Sequence, residues 1–164
     1  MPSAVAELDL VRPKNTRMST VGVFASIFDV SGRILLVRHA YGSRQWTTPG
    51  GRVEHGESPL IALQRELIEE IACEVRIAHL IGVYAKPYRD DLVLSFFAEL
   101  VQGTPRACLP EISEIAFFAR EELPREIAFN SRVRVEDAFE NCRGVVRVFD
   151  SAASLVPSFS HACS

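Results

Sequence analysis

The sequence lacks the features that mark membrane proteins, zinc-binding proteins and general nucleic-acid-binding proteins. No apolar run approaches the roughly 18 residues of a membrane-spanning helix. The N-terminal residues contain acidic side chains and no apolar core beside basic residues, which argues against a secretory signal peptide. Basic charge is in deficit, because 18 Lys and Arg stand against 21 Asp and Glu. We therefore expect neither a membrane partner nor broad nucleic-acid binding.

Cysteine is scarce, and its positions form no recognisable pattern. The four cysteines are Cys73, Cys108, Cys142 and Cys163. No two of them form a Cys-x-x-Cys pair, so a zinc site is not expected, and their wide spacing predicts no disulfide framework. We expect reduced thiols and, from them, a cytoplasmic location.

The composition that remains is that of an ordinary globular protein. Of 164 residues, 48% are hydrophobic and 24% are charged. This length suits one domain with a sizeable core. We expect an N-terminal arm at residues 1–16, a globular domain at 17–149 and a Ser- and Ala-rich C-terminal tail at 150–164.

Strand-like and helix-like segments alternate along the predicted domain. Five segments rich in β-branched and aromatic residues are predicted strands: 21–28, 33–39, 75–85, 92–101 and 114–119. The turn residues between the first two strands predict a β-hairpin. Two segments are predicted helices: one that Ser58 caps and that ends near Ile71, and 130–142 with Asn130 or Ser131 as its cap. Strands on both sides of the first helix predict a layered α/β fold, with a mixed sheet covered by helices.

The most informative stretch is residues 51–73, a glycine turn followed by the first helix. Because a helix turns about 100° per residue, Glu66, Glu69 and Glu70 share one face. Each like-charge pair at this spacing destabilises a helix by roughly 0.2–0.5 kcal/mol. Arg65 offsets only part of this, whereas a hard divalent cation such as Mg²⁺ would neutralise the face. The alternative is an acidic face that water solvates.

The other face of this helix is apolar and is expected to face a core. Its residues are Leu60, Leu63, Leu67 and Ile71. Pro59 suits the first helical position, and the turn before the helix contains Gly50 and Gly51, which have no β-carbon. The backbone of that turn can therefore approach a ligand or a metal ion closely.

This stretch resembles the signature of the Nudix hydrolases, G-x5-E-x7-R-E-U-x-E-E-x-G-U, where U is a bulky aliphatic residue. The matching positions are Gly51, Glu57, Arg65, Glu66, Leu67, Glu69 and Glu70, and Trp46, Pro49 and Gly50 are similar to the usual lead-in. Two positions depart from the pattern. Ala72 replaces a glycine that would suit a left-handed helix end, and Cys73 replaces the last aliphatic residue. Neither change removes a carboxylate.

The resemblance implies a fold, an activity and a cofactor. The fold is an α/β/α sandwich with a mixed β-sheet. The activity is Mg²⁺-dependent hydrolysis of a diphosphate bond in a nucleoside diphosphate linked to another moiety, such as a nucleotide sugar, ADP-ribose or a nucleoside triphosphate, with Mn²⁺ as a substitute ion. Two alternatives stay open: a nucleotide-sensing or binding module without turnover, and an isomerase acting on a diphosphate.

The resemblance also implies roles for single residues. Glu66, Glu69, Glu70 and the Gly50 carbonyl are the expected metal ligands. Arg65 is expected to orient the glutamates, with Glu57 as its partner or as a ligand through water. The expected catalytic residues are Glu57, Arg65, Glu69 and Glu70. The general base stays open between a glutamate of the signature and a later acid, Glu111 or Glu114.

Substrate contacts are the least determined part of the sequence. Arg38 and Trp46 are the predicted substrate-binding residues, since one can contact phosphates and the other can stack on a base. The expected partner is a small nucleotide substrate. A homodimer is compatible with the sequence but not indicated by it.

Overall fold

The computed structural model describes residues 19–156, so the predicted arm at 1–16 lies outside the described residues. Two helices occur within this range: α1 (Pro59–Ile71) and α2 (Phe129–Phe139). The strands are β1 (Thr20–Ile27), β2 (Ile34–His39), β3 (Trp46–Thr47), β4 (Gly50–Arg52), β5 (Glu74–Lys86), β6 (Asp91–Gln102), β7 (Ile112–Phe118), β8 (Val145–Ser151) and β9 (Ser154–Leu155). Short 3₁₀ turns occupy Pro87–Arg89 and Arg120–Glu122. None of the helices in residues 19–156 has the length and apolar character needed to cross a membrane.

The strands form two sheets. The larger has six strands in the order β4-β1-β6-β5-β8-β9, and the smaller has the order β3-β2-β7. In the larger sheet β1 is parallel to β6 and β5 is parallel to β8, whereas β1–β4 and β5–β6 are antiparallel. The predicted α/β class with a mixed sheet is confirmed.

The predicted hairpin of β1 and β2 is wrong, although both strands are present. They lie in different sheets and share only an isolated bridge between Phe28 and Ile34. A strand has two edges, and β1 offers one to β4 and the other to β6. The turn between β1 and β2 forms as predicted, because the Asp29 carboxylate accepts from the backbone N–H of Ser31 and of Arg33, both at 2.9 Å.

Strand β2 lies between two hydrophobic cores, and its side chains point alternately into one core and the other. Leu35 and Val37 pack in the first core, with α1 and β1, while Ile34 and Leu36 pack in the second, with α2, β5 and β8. Both faces of this strand are therefore fully buried. Helix α1 packs on the first core, and helix α2 packs on the second.

Helix α1 begins and ends as the sequence predicts. The Ser58 hydroxyl accepts from the Ile61 backbone N–H at 3.3 Å, and Pro59 is the first helical residue. Ala72 has a left-handed backbone with φ 56°, the conformation that glycine would adopt with less strain. The helix therefore ends in the left-handed conformation that suits glycine, although the residue at this position is Ala72.

The buried face of α1 differs from the prediction at two positions. Leu63, Leu67 and Ile71 are fully buried as expected, but Leu60 is 49% exposed. Glu70 lies on the buried side instead and is only 2% exposed. The spacing of apolar residues predicted a buried Leu60 and gave no indication that Glu70 would be buried.

Helix α2 begins one residue earlier and ends earlier than predicted. Its N-cap is Ala128, which offers no side-chain cap, so the prediction of Asn130 or Ser131 as the cap is wrong. Its buried face mixes polar and apolar side chains. The buried residues are Ser131, Arg134, Val135, Asp137 and Ala138.

The sequence analysis did not predict the last two strands of the described chain, β8 and β9. Strand β8, absent from the prediction, adds to the large sheet and runs across the boundary placed between residues 149 and 150. Free thiols are confirmed for Cys73 and Cys108, but Cys142 is disulfide-bonded, so the expectation of reduced cysteines is wrong there. The division into arm, domain and tail stays a prediction.

Candidate active site

The site is built where β4 passes the side of α1. A β-carbon on Gly51 would lie 2.4 Å from Cδ of Glu66, and one on Gly50 would lie 2.1 Å from the Val23 carbonyl oxygen. Gly50 also has φ 142°, which an L side chain rarely adopts. The two glycines therefore let this strand lie directly against β1 and against a carboxylate of α1.

Glu70 is the buried carboxyl group of the site. The Gly50 backbone N–H donates to Oε2 of Glu70 at 2.8 Å and ties the glycine turn to α1. Burial raises the pKa of this carboxyl to about 8, opposed by the Gly50 hydrogen bond and reinforced by the charges of Glu66, Glu111 and Glu69. Without a counter-charge, Glu70 holds a proton near neutral pH.

Arg65 connects the other carboxylates of the site. It contacts Glu57 through both Nε and Nη2, each at 2.9 Å, which is the bidentate geometry of a strong ion pair. Its Nη1 donates to Glu66 at 2.9 Å and to Glu69 at 3.3 Å. The hydrogen bond from Arg65, together with one from the Glu54 backbone, lowers the pKa of Glu57 to about 2. Arg65 therefore orients three acids, with Glu57 as its tightest partner.

The chemistry of this cluster fits a hard divalent cation. Three carboxylates pair with one guanidinium, and burial raises the pKa of Glu66, with Arg65 lowering it in opposition. The side-chain atoms that could bind a metal ion here are all carboxylate oxygens, the ligands that Mg²⁺ prefers. Within residues 19–156 no three His, Cys, Asp or Glu side chains converge closely enough to hold an ion as they stand. Arg65 holds Glu66 and Glu69 by hydrogen bonds from Nη1.

The two later acids that are candidate general bases differ in position: Glu111 directly precedes β7, and Glu114 lies within it. The charge of Glu111 contributes to the raised pKa values of Glu66 and Glu70, which places it within the electrostatic reach of the site. Glu114 instead pairs with Arg38 at 3.1 Å. Of these two acids, the structure brings only Glu111 near the carboxylates.

A pocket of about 400 Å³ adjoins the glycine turn, and Gly50, Gly51 and Arg52 form part of its wall. Trp46, a predicted substrate residue, lines this pocket and packs edge-on against Phe118 at 5.1 Å. This volume lies within the usual range for small-molecule sites. The glycine turn, which contacts Glu70 and lies against Glu66, therefore also forms part of the wall of this pocket.

The second predicted substrate residue, Arg38, lies apart from this pocket. Its guanidinium pairs with Glu114 and donates through Nε to the Arg44 carbonyl at 2.8 Å. It lines a separate surface cavity with Ala40 and Ser113. The structure thus brings Trp46, but not Arg38, to the glycine turn.

The sequence analysis missed several charged residues that line the pocket, among them Lys86, Asp91 and Arg134. Lys86 and Asp91 pair at 2.5 Å, and Arg134 of α2 is only 2% exposed. A signal for Arg134 was present, because it stands three residues after Ser131 and one before Val135, on the buried stripe of α2.

Comparison with known proteins gives a consistent set of relatives. The family profile described as the NUDIX domain matches residues 16–138. A protein of Bacillus subtilis (strain 168), named provisionally as an 8-oxo-dGTP diphosphatase, is 32% identical over 76% of this chain and 82% of its own length. An ADP-ribose pyrophosphatase of Methanocaldococcus jannaschii is 29% identical over 68% of each chain. A NUDIX hydrolase structure from Nitrosomonas europaea aligns with TM-score 0.73 at 23% identity, over 82% of this chain and 81% of that one.

Proposed function

The chain belongs to the Nudix hydrolase family, and we propose that it hydrolyses a diphosphate bond in a nucleoside diphosphate linked to another moiety, with Mg²⁺ as its cofactor. One observation carries this proposal: the oxygen-rich carboxylates of α1 lie beside a pocket large enough for a nucleotide. The names of the relatives, which refer to 8-oxo-dGTP and ADP-ribose, support a substrate of this class.

The proposed metal ligands are Glu66, Glu69 and Glu70, with the carbonyl of Gly50. A bound divalent ion supplies charge neutralisation, polarisation of phosphoryl oxygens and a more acidic water. Burial of Glu70 and the like charges around it raise the cost of keeping it ionised without an ion. Mn²⁺ is proposed as a substitute.

The protein residues around the ion have separate tasks. The Nη1 atom of Arg65 donates to Glu66 and Glu69, while its Nε donates to Glu57. We therefore propose that Arg65 and Glu57 serve mainly to position the carboxylates of Glu66 and Glu69. We assign the general base to Glu111 or to a carboxylate of α1. Glu111 is favoured over Glu114 because Arg38 already pairs with Glu114.

Substrate contacts divide between the pocket and the surface. Trp46 lines the pocket beside the glycine turn, where a base can lie against it. Arg38 keeps about a third of its side chain in solvent, so it is proposed as a contact for an outer phosphate rather than for the base. A cytoplasmic location, a small nucleotide partner and a homodimer stay predictions.

A substrate screen with and without Mg²⁺ tests the proposal. The panel contains ADP-ribose, dinucleoside polyphosphates, nucleoside triphosphates, their oxidised forms and sugar nucleotides. We expect product release that EDTA abolishes and that Mg²⁺ or Mn²⁺ restores. Nucleotide binding without any product would support the sensing module instead. Rearranged substrate with no phosphate released would support the isomerase.

A further inference from the structure

A second cavity, of about 310 Å³, opens beside the loop that connects β2 to β3. Its lining residues are Arg38, Ala40, Arg44, Ser113 and Glu114. Two guanidiniums and one carboxylate leave this wall with a net positive charge. The volume lies at the lower end of the range for small-molecule sites, so the cavity is large enough for a small anionic ligand.

The loop fixes both arginines through their Nε atoms. Nε of Arg38 donates to the Arg44 carbonyl at 2.8 Å, and Nε of Arg44 donates to the Ala40 carbonyl at 3.2 Å. A backbone oxygen therefore anchors each guanidinium at one edge and restricts its orientation. This preorganisation lowers the ordering cost of binding a ligand.

The outer edges of the two guanidiniums keep several free donors. Nη1 of Arg38 donates to Glu114 at 3.1 Å, but no hydrogen bond from its Nη2, or from either Nη of Arg44, reaches another residue among 19–156. Glu114 is 54% exposed, and such surface ion pairs are weak. An anion can therefore bind here without breaking a strong internal contact.

The backbone at Arg44 has an unusual conformation. Its φ is 52°, in the left-handed region that residues other than glycine rarely adopt. Such conformations cost free energy and are concentrated at ligand-binding and other functional sites. Arg44 presents its carbonyl to Arg38 and lines the cavity with it, so the strained residue helps to bring the two arginines together.

The same loop separates this cavity from the pocket at the glycine turn. His39, Ser43 and Gln45 line the pocket, whereas Arg38, Ala40 and Arg44 line the cavity. Within the part of the chain that the structure describes, no residue lines both. The cavity is therefore a site of its own, on the other side of the loop.

We propose that this cavity binds a phosphate oxyanion between the guanidiniums of Arg38 and Arg44. A guanidinium presents its N–H donors in a fixed fork that fits two phosphate oxygens, and hydrogen bonds to a charged acceptor are the stronger kind. The anion has two possible sources. One is the outer phosphate of a bound nucleotide, and that source rests on the proposed hydrolysis. The other is free inorganic phosphate, which does not depend on it.

An NMR titration of the whole chain in EDTA tests the site. Sodium phosphate replaces sodium chloride at constant ionic strength while the backbone amide signals are followed. We expect saturable shifts centred on residues 38–44 and 113–114. Shifts confined to the glycine turn and α2, or no saturable shift at all, would overturn the proposal. An equal response to sodium acetate would also overturn it, because the site would then not select phosphate.

A pair of variants tests the arginine. Arg44→Gln removes the charge and the fork of donors, so the affinity for phosphate should fall at least about 10-fold, the effect of one hydrogen bond to a charged group. Arg143→Gln is the matched control, because Arg143 is exposed and does not line the cavity. Equal affinities in the two variants would reject the assignment. The amide spectrum shows whether Arg44→Gln is folded, and if it is not, the titration of the unmodified protein decides.

A second titration identifies the source of the phosphate. The phosphate titration is repeated in EDTA with a saturating nucleoside monophosphate and with the triphosphate of the same base. Loss of phosphate binding only with the triphosphate would assign the cavity to the outer phosphate of a nucleotide. Binding retained with both would assign it to free phosphate. Loss with both would place the ion in the nucleotide pocket and overturn the proposal.

The outcome is separable from that of the proposed hydrolysis, because neither titration requires turnover. Phosphate binding in the cavity without any product in the substrate screen would support the oxyanion site and reject the enzyme activity. Product formation without phosphate binding in the cavity would reject only the oxyanion site.

Discussion

Helices α1 and α2 both bury an ionisable side chain near the glycine turn, an acid in α1 and a base in α2. Glu70 of α1 lies among other acids, and Arg134 of α2 donates to the hydroxyl oxygens of Thr47 and Ser131. Burial raises the pKa of Glu70 and lowers that of Arg134, so in each region burial opposes the charged form of the side chain. The difference lies in the surrounding groups, which are like charges around Glu70 and neutral hydroxyl groups beside Arg134.

The largest expected effect is at the anionic end, in Glu70→Gln. The amide oxygen can still accept from the Gly50 N–H, so the fold should persist while a charged ligand is lost. We expect activity to fall by at least about 100-fold, since even outer partners of metal ligands are worth about 10-fold to 100-fold. The measurement is turnover of the best substrate of the screen, together with circular dichroism.

The control for this change is Glu74→Gln. It removes the same charge from an exposed position at the start of β5 and should leave turnover unchanged. Wild-type turnover by Glu70→Gln would contradict the metal role and the contrast between the two helices.

At the cationic end, Asp137→Asn should weaken the anchoring of α2. It leaves Arg147 without a charged partner, and the expected loss of unfolding free energy is about 2–3 kcal/mol, less than for a fully buried pair because Arg147 keeps some solvent contact. Chemical denaturation measures it. Glu136→Gln, which affects an exposed pair with Arg120 on the same helix, is the control and should change stability little. Equal effects of the two variants would show that the buried network does not anchor α2.

A smaller effect is expected from Gly51→Ala, which tests how β4 shapes the anionic end. The added carbon would meet the end of the Glu66 side chain at 2.4 Å, and that flexible side chain can move aside. We expect activity to fall roughly 10-fold while unfolding free energy changes by less than about 1 kcal/mol.

Gly144→Ala should give the reverse pattern. Its added carbon meets nothing within 4 Å, but φ is 64°, so stability should fall by about 1 kcal/mol with activity retained. Full activity in Gly51→Ala would show that the position of Glu66 does not matter for turnover.

The smallest expected effect is the pH dependence of metal stabilisation. The folded pKa of Glu70 is raised to about 8, above its usual value of 4.5, so the metal-free protein loses stability as pH rises between these values. Mg²⁺ binding needs the ionised carboxylate, so the increase in melting temperature that Mg²⁺ produces should grow from pH 6 to pH 8 by a few degrees. Thermal unfolding with Mg²⁺ or EDTA measures this, and Glu70→Gln should lack the trend. A Mg²⁺ effect that does not vary with pH would contradict it.

The two regions also differ in how far the sequence predicted them. The acids of α1 lie within one helix turn of each other, so helical spacing places them on one face without knowledge of the fold. The contacts of Arg65 with Glu66 and Glu69 follow from the same local geometry. The burial of Glu70 did not follow, because it depends on β4 crossing the helix.

The region around α2 could not be assembled in this way. Arg134, Thr47 and Phe24 are far apart in the chain, and only the packing of α2 over β1 and β3 brings them together. The wrong hairpin of β1 and β2 has the same origin, since the pairing of β1 with β6 joins distant segments. Local patterns predicted both β1 and β2 but not which edges these strands offer to each other.

The sequence by itself determined the helix of the Nudix signature, its cap at Ser58 and the shared face of Glu66, Glu69 and Glu70, because each depends on residues within a few positions of one another. Tertiary structure alone decided that Glu70 is buried against Gly50 and that Arg134 enters the pocket without a carboxylate partner among residues 19–156. The physical reason is that burial and pairing depend on which distant segments exclude water from a side chain, and the spacing of residues along the chain does not specify that.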